Sequence, residues 1–282
     1  MVRAIMAAVG MGGVSAMLCV GAPAATADEV CTAESRPMVE DIYPTSDVLP
    51  ANLLRFYVYF SEPMERSAAL EHVTLRSVST GKAVAGAFFQ SRYDLWSTDG
   101  RRLTVLLDPG RVKSGLDASD ELGRALDVGE PYLLEIGGAI SAANGCALET
   151  NVIKHFAVGP ADAESPSLDQ WRLHLPQTNT REPVRIALNG AHDHVSLAYR
   201  IRVKTDQGEP VAGAIQLSRN ESEWRFTPRT PWTESLYVVR VDPALEDLAG
   251  NRLAGLFDDP TGESRVNQAH TDTYELEFWP AE

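Results

Sequence analysis

The chain has 282 residues, 44% of them hydrophobic, and carries 39 acidic against 25 basic side chains for a formal net charge of -14. Such a field repels phosphate backbones and anionic lipid, which argues against nucleic acid as a partner; Arg101, Arg102, Arg111 and Lys113, the nearest approach to a basic block, flank a strand and a turn as ordinary solvated charges. The acidic excess is sufficient to keep an exported protein soluble and by itself names no cation site.

Residues 1–27 read as an export signal. Arg3 supplies a positive start, Ile5 to Val20 is apolar and small, and Ala25-Thr26-Ala27 precedes a cleavage point before Asp28. Gly21, Ala22 and Pro23 follow the apolar run without a basic stop-transfer flank, which favours removal over anchoring, and Ala16-Met17-Leu18 before Cys19 is a poor lipid-attachment pattern. From Asp28 onward no segment is long and apolar enough to cross a bilayer, so the chain is read as exported, periplasmic or extracellular, with no transmembrane segment. Two cysteines then remain, Cys31 and Cys146. In an oxidising compartment they can pair and tie the mature N-terminus to the far end of the first unit; unpaired thiols are the alternative, and neither has a neighbouring histidine or Cys-x-x-Cys spacing to activate it.

A first unit is expected over residues 28–159, as an N-terminal extension followed by a β-sandwich. A turn-rich approach between Pro44 and Pro50 leads into a strand, with Leu54, Phe56, Val58 and Phe60 on one face and Arg55, Tyr57 and Tyr59 on the other. Val73 and Leu75 start the next strand, Val84 to Phe89 another after the Ser79-Thr80-Gly81-Lys82 turn, and Leu103, Val105 and Leu107 alternate before Asp108-Pro109-Gly110. Arg111 to Glu130 reads as an insertion whose Leu116, Leu122 and Leu126 cap a short helix or ordered loop. Tyr132, Leu134 and Ile136 form a further inward face, and Ile153 to Val158 closes the unit. Residues 160–169, with Pro160 and Pro166, read as an exposed linker.

The same order recurs over residues 170–282. Val73, Leu75 and Val84-Ala85-Gly86-Ala87 return about 127 residues later as Ile201, Val203 and Val211-Ala212-Gly213-Ala214, and Tyr132, Leu134 and Ile136 return at an offset of 105 as Tyr237, Val239 and Val241. Val184 to Leu188, Trp224 with Phe226, and Tyr274 to Phe278 supply the remaining strands. Neither half has the strand-then-helix rhythm of a parallel sheet, so the fold class expected is all-β: two tandem immunoglobulin-like antiparallel β-sandwiches.

Phe60-Ser61-Glu62-Pro63-Met64, Trp224-Arg225-Phe226-Thr227-Pro228 and Asp247-Leu248-Ala249-Gly250-Asn251 resemble the bacterial Ig-like domains of S-layer and other surface proteins. The first copy keeps Phe-Ser-Glu-Pro-Met and degrades the late turn to Ala143-Asn144-Gly145-Cys146; the second keeps the Asp-Leu-Ala-Gly-Asn turn and replaces the earlier phrase with Leu188-Asn189-Gly190-Ala191-His192-Asp193. The resemblance implies spacer, adhesive or carbohydrate-associated modules with no shared catalytic residues. In the turn itself Asp247 can accept from its own backbone, Gly250 can take positive φ, and Leu248 and Leu253 can anchor to the sandwich edge.

Chemistry-bearing candidates are few. In His192-Asp193-His194, alternation places both imidazoles on one face of an extended segment, where they can chelate a metal or simply occupy a surface turn with His192 partly buried. Asp242, Asp247, Asp258 and Asp259 lie at turns that either hold calcium or stay solvated. No paired carboxylates, activated serine or phosphate loop stands out, so the reading is a non-enzyme that needs no cofactor. Binding of glycans, peptides or other envelope proteins would use the aromatics Tyr57, Tyr59, Tyr93 and Trp96, or an inter-domain groove near Trp171 and Trp232. An envelope hydrolase with an unrecognised carboxylate site is the remaining alternative.

Overall fold

The computed structural model describes residues 31–112, 123–257 and 274–282; the expected leader, Lys113, Leu116 and Leu122 of the insertion, Asp258 and Asp259 lie outside them. The alternating stretches are strands. β1 (Val39–Tyr43), β2 (Val48–Pro50), β3 (Arg55–Phe60), β4 (Val73–Ser77), β5 (Leu95–Trp96), β6 (Arg102–Leu106), β7 (Pro131–Ile136) and β8 (Val152–Gly159) form two sheets ordered β1-β3-β6-β5 and β2-β8-β7-β4. Phe56, Val58 and Phe60 from one sheet meet Leu75, Leu134, Ile136 and Phe156 from the other in a common core, because each strand presents its apolar side every second residue.

The second set is β9 (Arg172–His174), β10 (Val184–Ala187), β11 (Ile201–Thr205), β12 (Gly213–Leu217), β13 (Glu223–Pro228), β14 (Tyr237–Val241) and β15 (Tyr274–Phe278). Its sheets run β12-β13-β10-β9 and β11-β14-β15, and they close over Val184, Ile186, Trp224, Phe226, Trp232 and Val239. The chain is all-β, two tandem immunoglobulin-like sandwiches. Among the described residues pairing between strands is antiparallel except where β2 runs parallel to β8, and a parallel bridge between Gln177 and Ala281 stands at the matching place in the second set.

The internal repeat is visible in the register. Leu75 lies opposite Leu134 as Val203 lies opposite Val239. Met64 bridges Ala142 as His192 bridges Asp247, and the glycines that follow, Gly145 and Gly250, have φ of 85° and 82°.

Four local expectations change. Val84 to Phe89 makes one isolated bridge, Phe88 to Leu107, after the bridge of Ala83 to Arg76, with Gly86 at positive φ interrupting any ladder. The approach to the first strand contains β1 and β2 as well as turns. Arg111 is buried rather than solvated: it sits in the one-turn helix Pro109–Val112 and donates to the carbonyls of Ala85, Gly123 and Arg124, holding the inserted segment against the sandwich beside the fully buried Leu126. The linker is pinned, with Asn52 and Asp162 exchanging hydrogen bonds of 2.7 and 2.8 Å.

Cys31 and Cys146 form a disulfide with Cα atoms 5.6 Å apart and a sequence separation of 115. Among the described residues no helix is long and apolar enough to cross a membrane. Closing so long a loop removes unfolded-state entropy, so reduction is expected to lower the unfolding free energy by about 2–5 kcal/mol. Urea unfolding followed by tryptophan fluorescence, with and without reductant, measures this; coincident curves would show that the bond contributes nothing.

Candidate functional site: the junction cleft

The outward face of β3 does not face water. Arg55, Tyr57 and Tyr59 alternate with the core residues as expected, but the second sandwich covers them. The covering surface is built by residues 192–200 and by the turn Leu245 to Asn251. In place of an extended His-Asp-His segment, the chain starts a helix, His194–Arg200, whose N-cap is Asp193; its side chain accepts the Ser196 N–H at 2.8 Å. Leu197 and Ile201, four residues apart, are both fully buried in the second core and hold the helix down.

Asp193 reaches across the junction. Its carboxylate accepts the Tyr57 hydroxyl at 2.8 and 3.1 Å and lies 3.6 Å from the Arg55 Nε. Arg55 continues to Glu246, which also takes Arg252 at 2.8 Å. The cluster closes through its own backbone, since Asp193 N–H donates to the Glu246 carbonyl and Glu246 N–H to the Ser196 hydroxyl. Burial pushes the Asp193 carboxyl up against the lowering influence of Arg55 and its hydrogen bonds, and burial with Asp193 beside it holds the Tyr57 phenol well above its ordinary range.

Two further contacts fix the junction. On one flank the Thr45 N–H donates to both Glu221 oxygens at 3.1 and 3.0 Å, the Thr45 hydroxyl donates to Glu221 at 2.7 Å, and the Asn220 N–H donates back to that hydroxyl. Burial raises the Glu221 carboxyl while these donors oppose it. On the other flank the Asp-Leu-Ala-Gly-Asn turn docks on the first sandwich. Leu54 N–H donates to the Leu248 carbonyl at 2.9 Å, Leu248 packs into the first core, and a Cβ on Gly250 would meet Leu54 Cδ2 at 2.6 Å. Leu248 therefore anchors to the neighbouring sandwich rather than its own edge; Leu253 packs against the second core. Asn251 donates to the Asp162 and Glu164 carbonyls, tying in the linker.

Between these contacts lies a cleft of about 380 Å³ lined by Arg55, Tyr57 and Arg102 from the first sandwich and by Asp193, Tyr199 and Glu246 among others from the second. Alternation alone could point to its first-sandwich wall, since Arg55, Tyr57 and Tyr59 put three large polar side chains in a row on one face. The second wall had no legible signal beyond an aspartate before a short apolar run.

The aromatic candidates do not assemble into one surface. Tyr57 and Trp171 are buried, Trp171 edge-on to His192 with ring centroids 5.8 Å apart. Trp232 lies inside the second core between Tyr237 and Phe278, its Nε1 donating to the Glu182 carbonyl at 2.7 Å, so it lines no groove. Tyr59 is half-buried against Tyr43 and His194, Trp96 is half-buried on the first core, and Tyr93 is exposed at a distant edge beside Leu95. The two imidazoles are engaged separately: His192 is buried in the bridge to Asp247, whereas His194 stacks on Tyr43 at 3.5 Å. Burial pushes both down to about 4. Among the described residues no group of three or more His, Cys, Asp or Glu is placed to hold a metal ion. Asp247 receives Ala249 N–H, Asn251 N–H and the Asn251 amide, and Asp242 pairs with Arg200 at 2.6 Å.

Removing Asp193 leaves Arg55 and Tyr57 without their shared acceptor and uncaps the helix. Asp193→Ala is expected to lower the unfolding free energy by about 3 kcal/mol or more, against about 1 kcal/mol for Tyr57→Phe. The double variant in a denaturation cycle tests the coupling; additive losses would show that the two side chains act independently. A second expectation concerns pH. Burial, then the Asp162 carboxylate, push Asp247 from 3.8 to about 7, with the Asn251 and Ala249 donors opposing. Between about pH 4 and 7 the folded chain then keeps a proton that the unfolded chain has lost, so this group's contribution to stability falls as pH rises through that window and levels above it. His192 acts oppositely: the unfolded chain takes up its proton first, so stability is lost as pH falls from about 6.5 to about 4. Carboxyl carbon shifts should place the Asp247 midpoint near 7, and a midpoint near 4 would refute the burial account.

No family model matches the sequence, and no curated protein matches it. Among solved structures the chain is similar to the surface layer protein SbsC, domains 1–6, at 15% identity and a TM-score of 0.31, covering 73% of this chain and 23% of that one. It is similar to native alpha-2-macroglobulin from Escherichia coli spanning domains MG0-NIE-MG1, at 13% identity and a TM-score of 0.28, over 77% of this chain and 68% of that one. It is also similar to a chimeric titin Z1Z2, at 12% identity and a TM-score of 0.25, over 73% and 88%. The chain thus spans under a quarter of the SbsC chain's length.

Proposed function

We propose that this is an exported, non-catalytic structural or interaction protein of the cell envelope, whose two sandwiches, residues 28–159 and 170–282, are held in one arrangement across the 160–169 segment and present a fixed surface to other envelope proteins. The observation that carries this reading is the buried cluster of Tyr57, Arg55, Asp193 and Glu246 across the junction. Independent modules on a flexible tether have no reason to bury charged groups between them; a spacer or docking unit that must keep its geometry does. The Cys31–Cys146 disulfide supports an oxidising destination.

Expressed with its leader, the chain is expected in the exported fraction, beginning at Asp28, with both cysteines refractory to alkylation until reduced. Cytoplasmic recovery with the leader attached and free thiols would overturn the export reading. Displayed glycans and peptides incubated with the protein, with and without calcium, are expected to remain intact by mass spectrometry; cleavage of any of them would replace this reading with a hydrolase.

A further inference from the structure

The arginines at the junction are unequal. Arg55 holds Asp193 and Glu246, Arg252 holds Glu246, and Arg200 holds Asp242. Among the described residues no carboxylate lies within ion-pair distance of Arg102. Its guanidinium carbon sits 5.5 Å over the Tyr57 ring, its charge works against burial at the Tyr59 phenol, and its Nε is shielded from solvent without a hydrogen-bond partner in the chain. Three arginines, Arg55, Arg102 and Arg200, therefore line the cleft with two carboxylates, Asp193 and Glu246, in a chain whose overall charge is -14. The uncompensated charge is felt nearby, since Arg102 adds to burial in keeping the His194 imidazole neutral.

The Tyr57 ring faces the Arg102 guanidinium but leaves its charge unanswered. A guanidinium is planar, and its in-plane N–H groups form a fork that matches two oxygens of one carboxylate. One surplus positive charge suits one negative charge; a dianion would meet Asp193 and Glu246 with nothing left to neutralise it. The Tyr199 ring, 64% exposed beside Val195 and Ala244, offers a flat wall for the body of a ligand, and the cleft volume lies at the small end of the range for small-molecule sites.

We propose that the junction cleft binds a small monocarboxylate, its carboxylate forked on Arg102 and its body lying against Tyr199. The carboxylate is common to sugar acids and acylated amino acids, and the test separates these sources. Calorimetric and NMR titrations use the purified protein with glucuronate and N-acetylphenylalanine, each beside its neutral counterpart, glucose and N-acetylphenylalanine amide, and with inorganic phosphate. At least one acid is expected to bind saturably at one site per chain while its neutral counterpart does not, and the acid that binds names the source. Arg102→Gln should weaken that binding about tenfold or more, Arg102→Lys by less, and Arg229→Gln, an exposed arginine outside the cleft, not at all. Should Arg102→Gln fail to fold by near-ultraviolet circular dichroism, shift perturbations on the unaltered protein decide: they must centre on Tyr199, Val195 and Ala244. The proposal is overturned if neither acid binds, if the neutral counterpart or phosphate binds as tightly, if a folded Arg102→Gln binds unchanged, or if the perturbed resonances lie elsewhere.

Discussion

The carboxylate of Asp193 is the point on which the arrangement of the molecule turns. It caps a seven-residue helix belonging to the second sandwich, accepts a phenol from the first, and neutralises an arginine that would otherwise be shut between them. Burying such a group is expensive, and the attraction to Arg55 recovers little beyond that expense. Its larger consequence is directional. Hydrophobic contact alone tolerates sliding and rotation, but a carboxylate that must satisfy Tyr57, Arg55 and the Ser196 N–H together permits few relative placements of the sandwiches. The Thr45–Glu221 contacts on one flank and Leu248 on the other act at distance from it, so rotation about any single contact strains the remaining two.

The same requirement gives the cleft its chemistry. A sheet face that would ordinarily be solvated is brought beneath a second layer, and its charged side chains must then find partners or remain as local fields. Arg55 finds two carboxylates. Arg102, one strand over on β6, finds the Tyr57 ring. A ring face lowers the energy of a cation without cancelling its charge, and a fixed junction keeps that charge at one place.

Much of the fold was legible because a half-buried strand writes its burial every second residue. Tyr132, Leu134 and Ile136, and their counterparts Tyr237, Val239 and Val241, are all buried. The aligned copies put His192 opposite Met64, and both are buried in equivalent bridges where a surface turn with His192 partly buried is expected. The candidate site was legible only in part. Alternation tells which way Tyr57 points relative to its own core, yet "outward" means solvent only until another layer arrives, and no local pattern announces that layer. Trp232 misled for a related reason: outside any alternating run, its bulk gives no direction, and it fills an end of the second core. The helix His194–Arg200 is too short to show a period, leaving Asp193 as its main written sign.

The two late turns show how one backbone device was put to separate uses. In both, the residue after the positive-φ glycine donates its N–H to an upstream side-chain oxygen, and its carbonyl accepts from the N–H four residues back: Cys146 with Asn144 and Ala142, Asn251 with Asp247 in both roles. In the second copy the side chain at this position is an amide that bonds Asp247 and the linker carbonyls, and its turn is packed so closely that a methyl group on Gly250 would strike Leu54. In the first copy the side chain is a thiol joined to Cys31, and a methyl group on Gly145 would meet nothing. The first turn leans on the segment that holds Cys31, where the Asn144 amide also donates to the Ser35 carbonyl at 2.9 Å. A covalent bond to that segment supplies the tether that packing supplies in the second copy. The cysteine and the asparagine are thus two answers to one problem, chosen by what lies next to the turn.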